Sequence, residues 1–210
     1  VIAMGYNHLP KEEGLYNPLY EHDSCGVGFV CNVNGKASNE IVKQGLEVLN
    51  RLSHRGATGA DPKTGDGAGI LIQIPHEFFL KACKGKIAIP QKGSYGTGLI
   101  FLPTDPEENK LCKDIFTAVI KEEGCLLLGW RGVPVDNSDI GITAKETEPS
   151  IEQVFIAKDA KVREGLDFER SLYIIRKKIE NAIRGSSLKQ RSFFYITNLS
   201  SRTLSYKGLL

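Results

Sequence analysis

The chain has little of what marks a secreted, membrane-spanning or nucleic-acid-binding protein. Its five cysteines are odd in number, none are spaced as C-x-x-C, and only four histidines accompany them. That set argues against both a disulfide framework and a structural zinc site, because each needs paired ligands. Apolar stretches reach about five residues, far short of the ~20 that cross a bilayer. A net charge of +2 gives no electrostatic basis for binding nucleic acid or an acidic membrane.

The beginning of the chain differs from the rest in composition. Residues 1–5 are apolar but lack the basic region and long apolar core of a secretory signal. Residues 1–24 hold one lysine against four acidic side chains, two glycines and two prolines, with no helical or strand period. They predict an extended leader at 1–24, followed by one domain at 25–210. We expect a reducing compartment, the cytoplasm or the plastid stroma, in which the cysteines stay free.

The remaining residues have the composition of a folded domain, with 41% hydrophobic and 25% charged side chains. Helices are predicted at 38–52, from Pro75, at 105–123 and at 167–184, and strands at 26–33, 70–74, 96–102, 125–131, 151–157, 193–198 and 203–206. The last two strands are expected to form a hairpin. Because the elements do not alternate as βαβ units, the predicted class is α+β with a largely antiparallel sheet.

Cys25 stands at the junction between the predicted leader and the domain. If the chain is cut after Ser24, Cys25 gains a free α-amine, whose pKa of about 7.7–8.0 leaves much of it neutral near physiological pH. Such an amine can take the thiol proton, so that one residue supplies both nucleophile and base. Gly26 and Gly28 would let a substrate approach the backbone there. The alternative from composition alone is a buried strand cysteine.

A second candidate is the loop that holds five glycines between residues 56 and 69. Its backbone amides can point together at an anion or a carbonyl. A nucleotide loop is disfavoured, because these glycines follow a helix and lead into a strand, the reverse of a dinucleotide-binding turn. A purely structural loop is the alternative, and His54 by itself is more typical of a packed or capping residue.

Several motifs occur in the same order and at similar spacing as in a known family. Cys25 opens Cys-Gly-Val-Gly-Phe, His54 opens His-Arg-Gly-Ala, and Thr64 opens Thr-Gly-Asp-Gly-Ala-Gly. Further matches lie at 14–18, 75–79, 128–131, 133–138, 147–149, 152–155, 200–203 and 206–208. On these residues the chain resembles the class II glutamine amidotransferase domain of glutamate synthases.

The resemblance implies an N-terminal-nucleophile hydrolase fold, a four-layer αββα sandwich with antiparallel sheets, incomplete at the C-terminus. It implies hydrolysis of L-glutamine to glutamate and ammonia, which travels through a tunnel to aminate 2-oxoglutarate. FMN and an iron–sulfur cluster supply electrons for that step in the full-length protein, with no cofactor or metal in this chain. The implied partners are L-glutamine, the remaining domains of the same chain and a small reductase subunit. Whether NADPH, NADH or ferredoxin is the donor is set outside residues 1–210.

The same resemblance assigns the site residues. Cys25 attacks the side-chain amide of glutamine and forms a γ-glutamyl thioester, which water cleaves. Arg55 is the expected supporting residue, because a nearby cation lowers the pKa of a thiol. The other expected substrate-binding or supporting residues are Gly26, Gly65, Asp66 and Gly67.

The chain departs from the family in the motifs that complete the glutamine site. The family supplies an arginine-bearing strand, an Asn-Gly oxyanion hole and an aspartate for the substrate amine, and none of these precedes Leu210. The one Asn-Gly pair, Asn34-Gly35, predicts a turn. Since loss of one oxyanion donor costs about 10²–10³ in rate, we expect residues 1–210 alone to hydrolyse little glutamine.

Three other interpretations remain at the level of the residues. The first is another class II amidotransferase, such as those making phosphoribosylamine, glucosamine phosphate or asparagine, against which the motif at 64–69 argues. The second is a non-catalytic binding or assembly module that keeps its leader. The third is redox sensing by Cys25 and Cys31, which is disfavoured because thiols six residues apart on one strand are poorly placed to bridge.

Overall fold

Two antiparallel sheets and five helices make up the described part of the chain. The computed structural model describes residues 12, 14, 26–52, 61, 63–65, 67–159 and 165–209. In chain order its elements are α1 (Asn39–Arg51), β1 (Gly67–Gln73), α2 (His76–Ala82), β2 (Tyr95–Leu102), α3 (Pro106–Glu122), β3 (Leu126–Gly132), α4 (Ile142–Glu146), β4 (Ser150–Ala157), α5 (Leu166–Arg184), a 3-10 turn (Arg191–Phe193), β5 (Tyr195–Ile196) and β6 (Thr203–Leu209). The predicted α1, α2, α3, α5 and β1 to β4 are confirmed to within a few residues, whereas the sequence predicts no helix at α4.

The sheets are antiparallel throughout, so the predicted α+β class is confirmed. The larger sheet has four strands in the order β3-β4-β2-β5, and the smaller one pairs β1 with β6. β2 and β4 pair along their full length, from Tyr95 opposite Ala157 to Leu102 opposite Ser150. β1 and β6 pair from Gly67 opposite Leu209 to Gln73 opposite Thr203.

In the four-stranded sheet, β2 and the second half of β4 are buried on both faces, and their successive side chains point to opposite sides. On one face, Ile100 and Leu102 of β2 and Val154 and Ile156 of β4 pack against α3 and α5. We call this cluster the helix-side core. The residues that α5 contributes have helical spacing, and all are buried: Phe168, Leu172, Ile175, Ile179 and Ile183.

The opposite face of the larger sheet packs towards the smaller sheet. Tyr95 of β2 and Phe155 of β4 belong to a second cluster with Leu204 of β6, and Ile72 of β1 packs against it. α2 contributes Phe79 to the same cluster. We call this cluster the intersheet core. The described layers therefore run from helices through the four-stranded sheet to the two-stranded sheet.

α3 begins as its sequence predicts. The side chain of Asp105 accepts hydrogen bonds from the backbone N–H groups of Glu107 and Glu108, and Pro106 occupies the first helical position. This arrangement satisfies donors that the helix itself leaves unpaired. Among the helices of the described ranges, none is long and apolar enough to cross a membrane.

The predicted strand at 26–33 is wrong. Residues 26–32 have no regular secondary structure, and Val27 and Phe29 are 84% and 89% exposed. β-Branched and aromatic residues favour a strand only where a neighbouring strand supplies backbone partners and covers one face, and no strand of the described ranges does so here. The turn at Asn34-Gly35 is confirmed, with Gly35 at φ 68° and its N–H donating to the Asn32 carbonyl at 2.9 Å.

The predicted hairpin near the end of the chain is also wrong. β5 pairs with β2, whereas β6 pairs with β1, so the two strands enter different sheets. The Asn198 side chain takes the place of strand pairing between them. Its Nδ2 donates to the Thr203 carbonyl and its Oδ1 accepts from the Ser205 N–H, both at 2.9 Å.

Candidate active site

The structure describes three of the six residues that the sequence assigns to the site. Gly26, Gly65 and Gly67 are described, whereas Cys25, Arg55 and Asp66 lie outside the described residues. The described residues that flank these three make the contacts given below.

The segment after Cys25 lies against the last turns of α1. A Cβ placed on Gly26 would lie 3.0 Å from Leu52 Cδ2, and one on Gly28 would lie 2.5 Å from Val48 Cγ1. The second distance is shorter than real Cβ contacts. Both glycines thus permit a close approach of the chain to α1, which occupies the space that their side chains would fill.

This contact joins the flanks of two predicted motifs. Gly26 is bonded to Cys25, and Leu52 is followed directly by Ser53, His54 and Arg55. The contact therefore joins two described residues that flank these motifs in the chain.

Asp61, Lys63 and Thr64 form a turn in the middle of the glycine-rich segment. The Asp61 carboxylate accepts from the Lys63 N–H at 3.1 Å and from the Thr64 hydroxyl at 2.9 Å. The Gly141 N–H donates to the Lys63 carbonyl at 2.9 Å, and the Lys63 ammonium pairs with Asp139. The turn is therefore fixed to the segment that leads into α4.

Hydrogen bonds hold the pKa of Asp61 below its ordinary value. The Lys63 N–H has the largest effect, followed by the Thr64 hydroxyl, and the N–H groups of Thr143 and Ile142 add to it. A carboxylate that accepts several such bonds is favoured in its charged form. Sequence reasoning missed both Asp61 and Gly141, because their pairing joins segments about 80 residues apart and leaves no local pattern.

The last glycines of the segment serve strand pairing. β1 already begins at Gly67, which pairs with Leu209, and Gly69 pairs with Lys207. A Cβ on Gly69 would lie 2.8 Å from the Tyr206 carbonyl. Gly65 precedes this strand and is partly buried. The loop is thus shorter than the predicted 56–69.

Burial makes three of the described thiols poor nucleophiles. Cys83, Cys112 and Cys125 are buried, and burial raises the pKa of each, that of Cys112 to about 11. The thiolate is the reactive form, so these side chains are inert near neutral pH. Of the described cysteines, Cys31 is the exposed one.

The motifs at 128–131 and 152–155 meet in a polar network between the sheets. Arg131 donates to the Gln153 side-chain carbonyl at 3.2 Å, and the Gln153 amide donates to the Thr97 hydroxyl at 3.0 Å. The Thr97 hydroxyl donates in turn to the Val154 carbonyl at 2.8 Å. Gln153 and Thr97 are fully buried, and each both donates and accepts a hydrogen bond within the network, which indicates a structural role.

Comparison with known proteins places the chain in a family. Residues 25–210 match the family model described as "Glutamine amidotransferases class-II". The match begins at Cys25.

Its relatives are glutamate synthases. The large chain of glutamate synthase (NADPH) from Bacillus subtilis is 46% identical over 207 residues, covering 99% of this chain and 13% of the relative. The chloroplastic ferredoxin-dependent glutamate synthase 2 of Arabidopsis thaliana is 42% identical, covering 96% of this chain and 12% of the relative. Glutamate synthase (NADH) of Schizosaccharomyces pombe is 39% identical, covering 96% of this chain and 10% of the relative. The chain thus spans about an eighth or less of the length of these relatives.

Proposed function

We propose, from the premise that this chain belongs to the class-II glutamine amidotransferase family, that it is the glutaminase domain of a glutamate synthase. It hydrolyses L-glutamine to glutamate and ammonia with Cys25 as nucleophile. The observation that carries the proposal is the start of the family match at Cys25, the residue that the sequence selects on chemical grounds. The described helix–sheet–sheet layers support three layers of a four-layer αββα sandwich of N-terminal-nucleophile type.

The proposed reaction begins with removal of the leader, residues 1–24. The free α-amine of Cys25 takes the thiol proton, and the thiolate attacks the side-chain carbonyl carbon of glutamine. The amine then gives its proton to the departing nitrogen, so that the C–N bond breaks, ammonia leaves and a γ-glutamyl thioester forms. Water attacks the thioester, releasing glutamate and restoring the thiol.

Arg55 is proposed to favour the thiolate of Cys25 through its positive charge. The contact between Gly26 and Leu52 supports this role, because it brings together the chain segments that lead to the two residues. Gly65, Asp66 and Gly67 are proposed to shape the same region, and the anchored turn at 61–64 lies directly before them in the chain.

The other described cysteines are less suited than Cys25 to act as the nucleophile. Cys83, Cys112 and Cys125 are buried with raised pKa values, so they neither reach a substrate nor ionise readily. Cys31 is exposed, but it does not stand at the start of the family match. This makes Cys31 the natural control in any experiment on Cys25.

In the full-length protein we propose that the ammonia aminates 2-oxoglutarate, with FMN and an iron–sulfur cluster supplying electrons. A cluster needs several thiolates around one point. Cys112 and Cys125 belong to the helix-side core and Cys83 to the intersheet core. No group of three or more metal-ligating side chains occurs among the described residues. The described residues do not fit a cluster, so the cluster is assigned to another domain of the full-length chain.

The electron donor and the compartment belong to the same proposal. The names of the three relatives specify NADPH, ferredoxin and NADH, so the donor varies among related proteins. We propose a reducing compartment, the cytoplasm or the plastid stroma. The four described cysteines, which are all free, support it.

The experiment uses the full-length protein and a diazo-ketone that mimics glutamine. The protein is incubated with the reagent, digested and mapped by mass spectrometry, in parallel with Cys25→Ala and Cys31→Ala. The expected result is one label on Cys25, lost in Cys25→Ala and retained in Cys31→Ala. Glutamine-dependent ammonia release should follow the same pattern. A label on Cys31, or ammonia release that survives Cys25→Ala, would refute the proposal.

A further inference from the structure

We propose that the turn at residues 61–64, docked on residues 139–141, is a positioning device for the glutaminase site, with Asp61 and Gly141 as its positioning residues. We call Asp61, Lys63 and Thr64, together with their contacts to residues 139–141, the docked turn. The inference rests on the proposed function and adds to it two residues that do not touch the reacting atoms.

The docked turn is held by complementary interactions on both sides. Its own shape comes from the Asp61 carboxylate, which binds the Lys63 N–H and the Thr64 hydroxyl. Its docking comes from the bond between the Gly141 N–H and the Lys63 carbonyl at 2.9 Å, and from the pairing of Lys63 with Asp139. Together, the backbone bond and the ion pair fix both the orientation of the turn and its distance from residues 139–141.

Position 141 requires glycine because the docked turn occupies the space of a side chain there. Its φ of −67° is open to any residue, so backbone conformation does not require glycine there. A Cβ on Gly141 would instead lie less than 3.0 Å from both Asp61 Oδ2 and Thr64 Oγ1. A side chain at this position would therefore push the turn away.

The docked turn lies between expected site residues in the chain. Arg55 precedes Asp61 by six residues, and Gly65 follows Thr64 directly. Misplacement of a catalytic group by about 1 Å can cost roughly 10²-fold in rate, so release of the docked turn should slow the reaction.

The docked turn contributes little to the packing of the fold. None of its residues belongs to the helix-side or the intersheet core, and the Lys63 and Asp139 side chains are 64% and 85% exposed. Exposed ion pairs of this kind stabilise proteins only slightly. Loss of the contact should therefore affect catalysis more than folding.

The test compares Asp61→Ala, Asp61→Asn and Gly141→Ala in the full-length protein. Asp105→Ala is the matched control, because Asp105 also binds two backbone N–H groups, at the start of α3, but belongs to no site segment. The measurements are kcat and KM for glutamine hydrolysis, the rate and final extent of Cys25 labelling by the diazo-ketone, and Tm.

Asp61→Ala and Gly141→Ala should lower kcat and the labelling rate by about 10- to 100-fold, with labelling still reaching completion. Asp61→Asn, which keeps one acceptor oxygen, should recover part of the loss. Asp105→Ala should lower Tm without slowing labelling. A merely structural role predicts a lower final extent of labelling at the wild-type rate.

Wild-type kcat and labelling rate in both Asp61→Ala and Gly141→Ala would overturn the inference. Slow labelling in Asp105→Ala as well would overturn it too, since the effect would then be general. A wild-type protein that releases no ammonia from glutamine refutes the proposed function instead, and this control separates the two failures.

Discussion

At the scale of single residues, the clearest constraint is the space that glycine leaves around the site. Gly26 and Gly28 bring the chain against α1, and Gly141 makes room for Asp61 and Thr64. None of the three has a positive φ. At all three positions another part of the chain lies too close to leave room for a side chain. The sequence shows only that the residue is glycine, whereas the structure identifies the residue that lies against it.

Gly28→Ala tests the contact between residues 26–28 and α1. The added Cβ would lie 2.5 Å from Val48 Cγ1, and a valine in a helix has one strongly preferred rotamer, so the neighbour yields poorly. Overpacking of this kind costs about 1–3 kcal/mol. We expect that loss in the free energy of unfolding, measured by urea denaturation of the 210-residue chain.

Two further variants make this prediction specific. Gly28→Ala combined with Val48→Ala should regain most of the lost stability, because the second change removes the obstructing methyl groups. Gly132→Ala is the control, since nothing lies within 4 Å of its added Cβ. Equal losses in Gly28→Ala and Gly132→Ala would refute the close approach.

At the scale of elements, the sequence predicts what local residues determine. The start of α3 is predicted correctly because Asp105, Pro106 and the following glutamates carry the whole signal. The strand at 26–33 and the terminal hairpin are predicted wrongly because strand pairing depends on partners far along the chain. In the hairpin, the Asn198 side chain supplies bonds that no strand pattern includes.

The candidate site divides in the same way. Cys25 is selected by its own chemistry and its place in the chain, whereas the docked turn joins Lys63 to Asp139 across a separation of 76 residues. Spacing alone gives no reason to pair them. The placement of Cys25, Arg55 and Asp66 in the site stays a prediction, because all three lie outside the described residues.

The docked turn should open in acid. The Asp61 pKa lies below its ordinary value of 3.8, so ionised Asp61 favours the docked state. That contribution is complete above the ordinary pKa and is lost as pH falls through the lower folded value. We expect amide exchange at Gly141, corrected for the intrinsic pH dependence, to lose protection in that acid range.

Asp61→Asn is the control for this pH dependence. Without the carboxyl group, the protection of the Gly141 amide should no longer change across the range in which Asp61 titrates. An identical acid transition in Asp61→Asn would assign it to another group and contradict the prediction.

At the scale of the whole molecule, the intersheet core connects the two sheets. Phe155 is fully buried there, and its ring meets that of Phe79 edge-on at 5.1 Å between centroids. Aromatic pairs in this arrangement stabilise beyond their buried area. The small sheet carries β1, which begins at Gly67 within the glycine-rich segment.

Phe155→Ala should destabilise the chain by about 3–5 kcal/mol, because it leaves a cavity between the sheets. Urea denaturation measures the loss. Leu126→Ala, in the neighbouring β3 with its side chain 62% exposed, is the control and should change stability by about 0.5 kcal/mol or less. Similar losses in the two variants would contradict a core between the sheets.

The most direct test of the central claim is the identity of the first residue in glutaminase-active protein. Intact mass and N-terminal sequencing of the full-length protein, purified by its ability to release ammonia from glutamine, determine it. We predict that the active protein begins at Cys25 with a free α-amine, residues 1–24 having been removed. Active protein that retains those residues would contradict the claim that Cys25 serves as its own base.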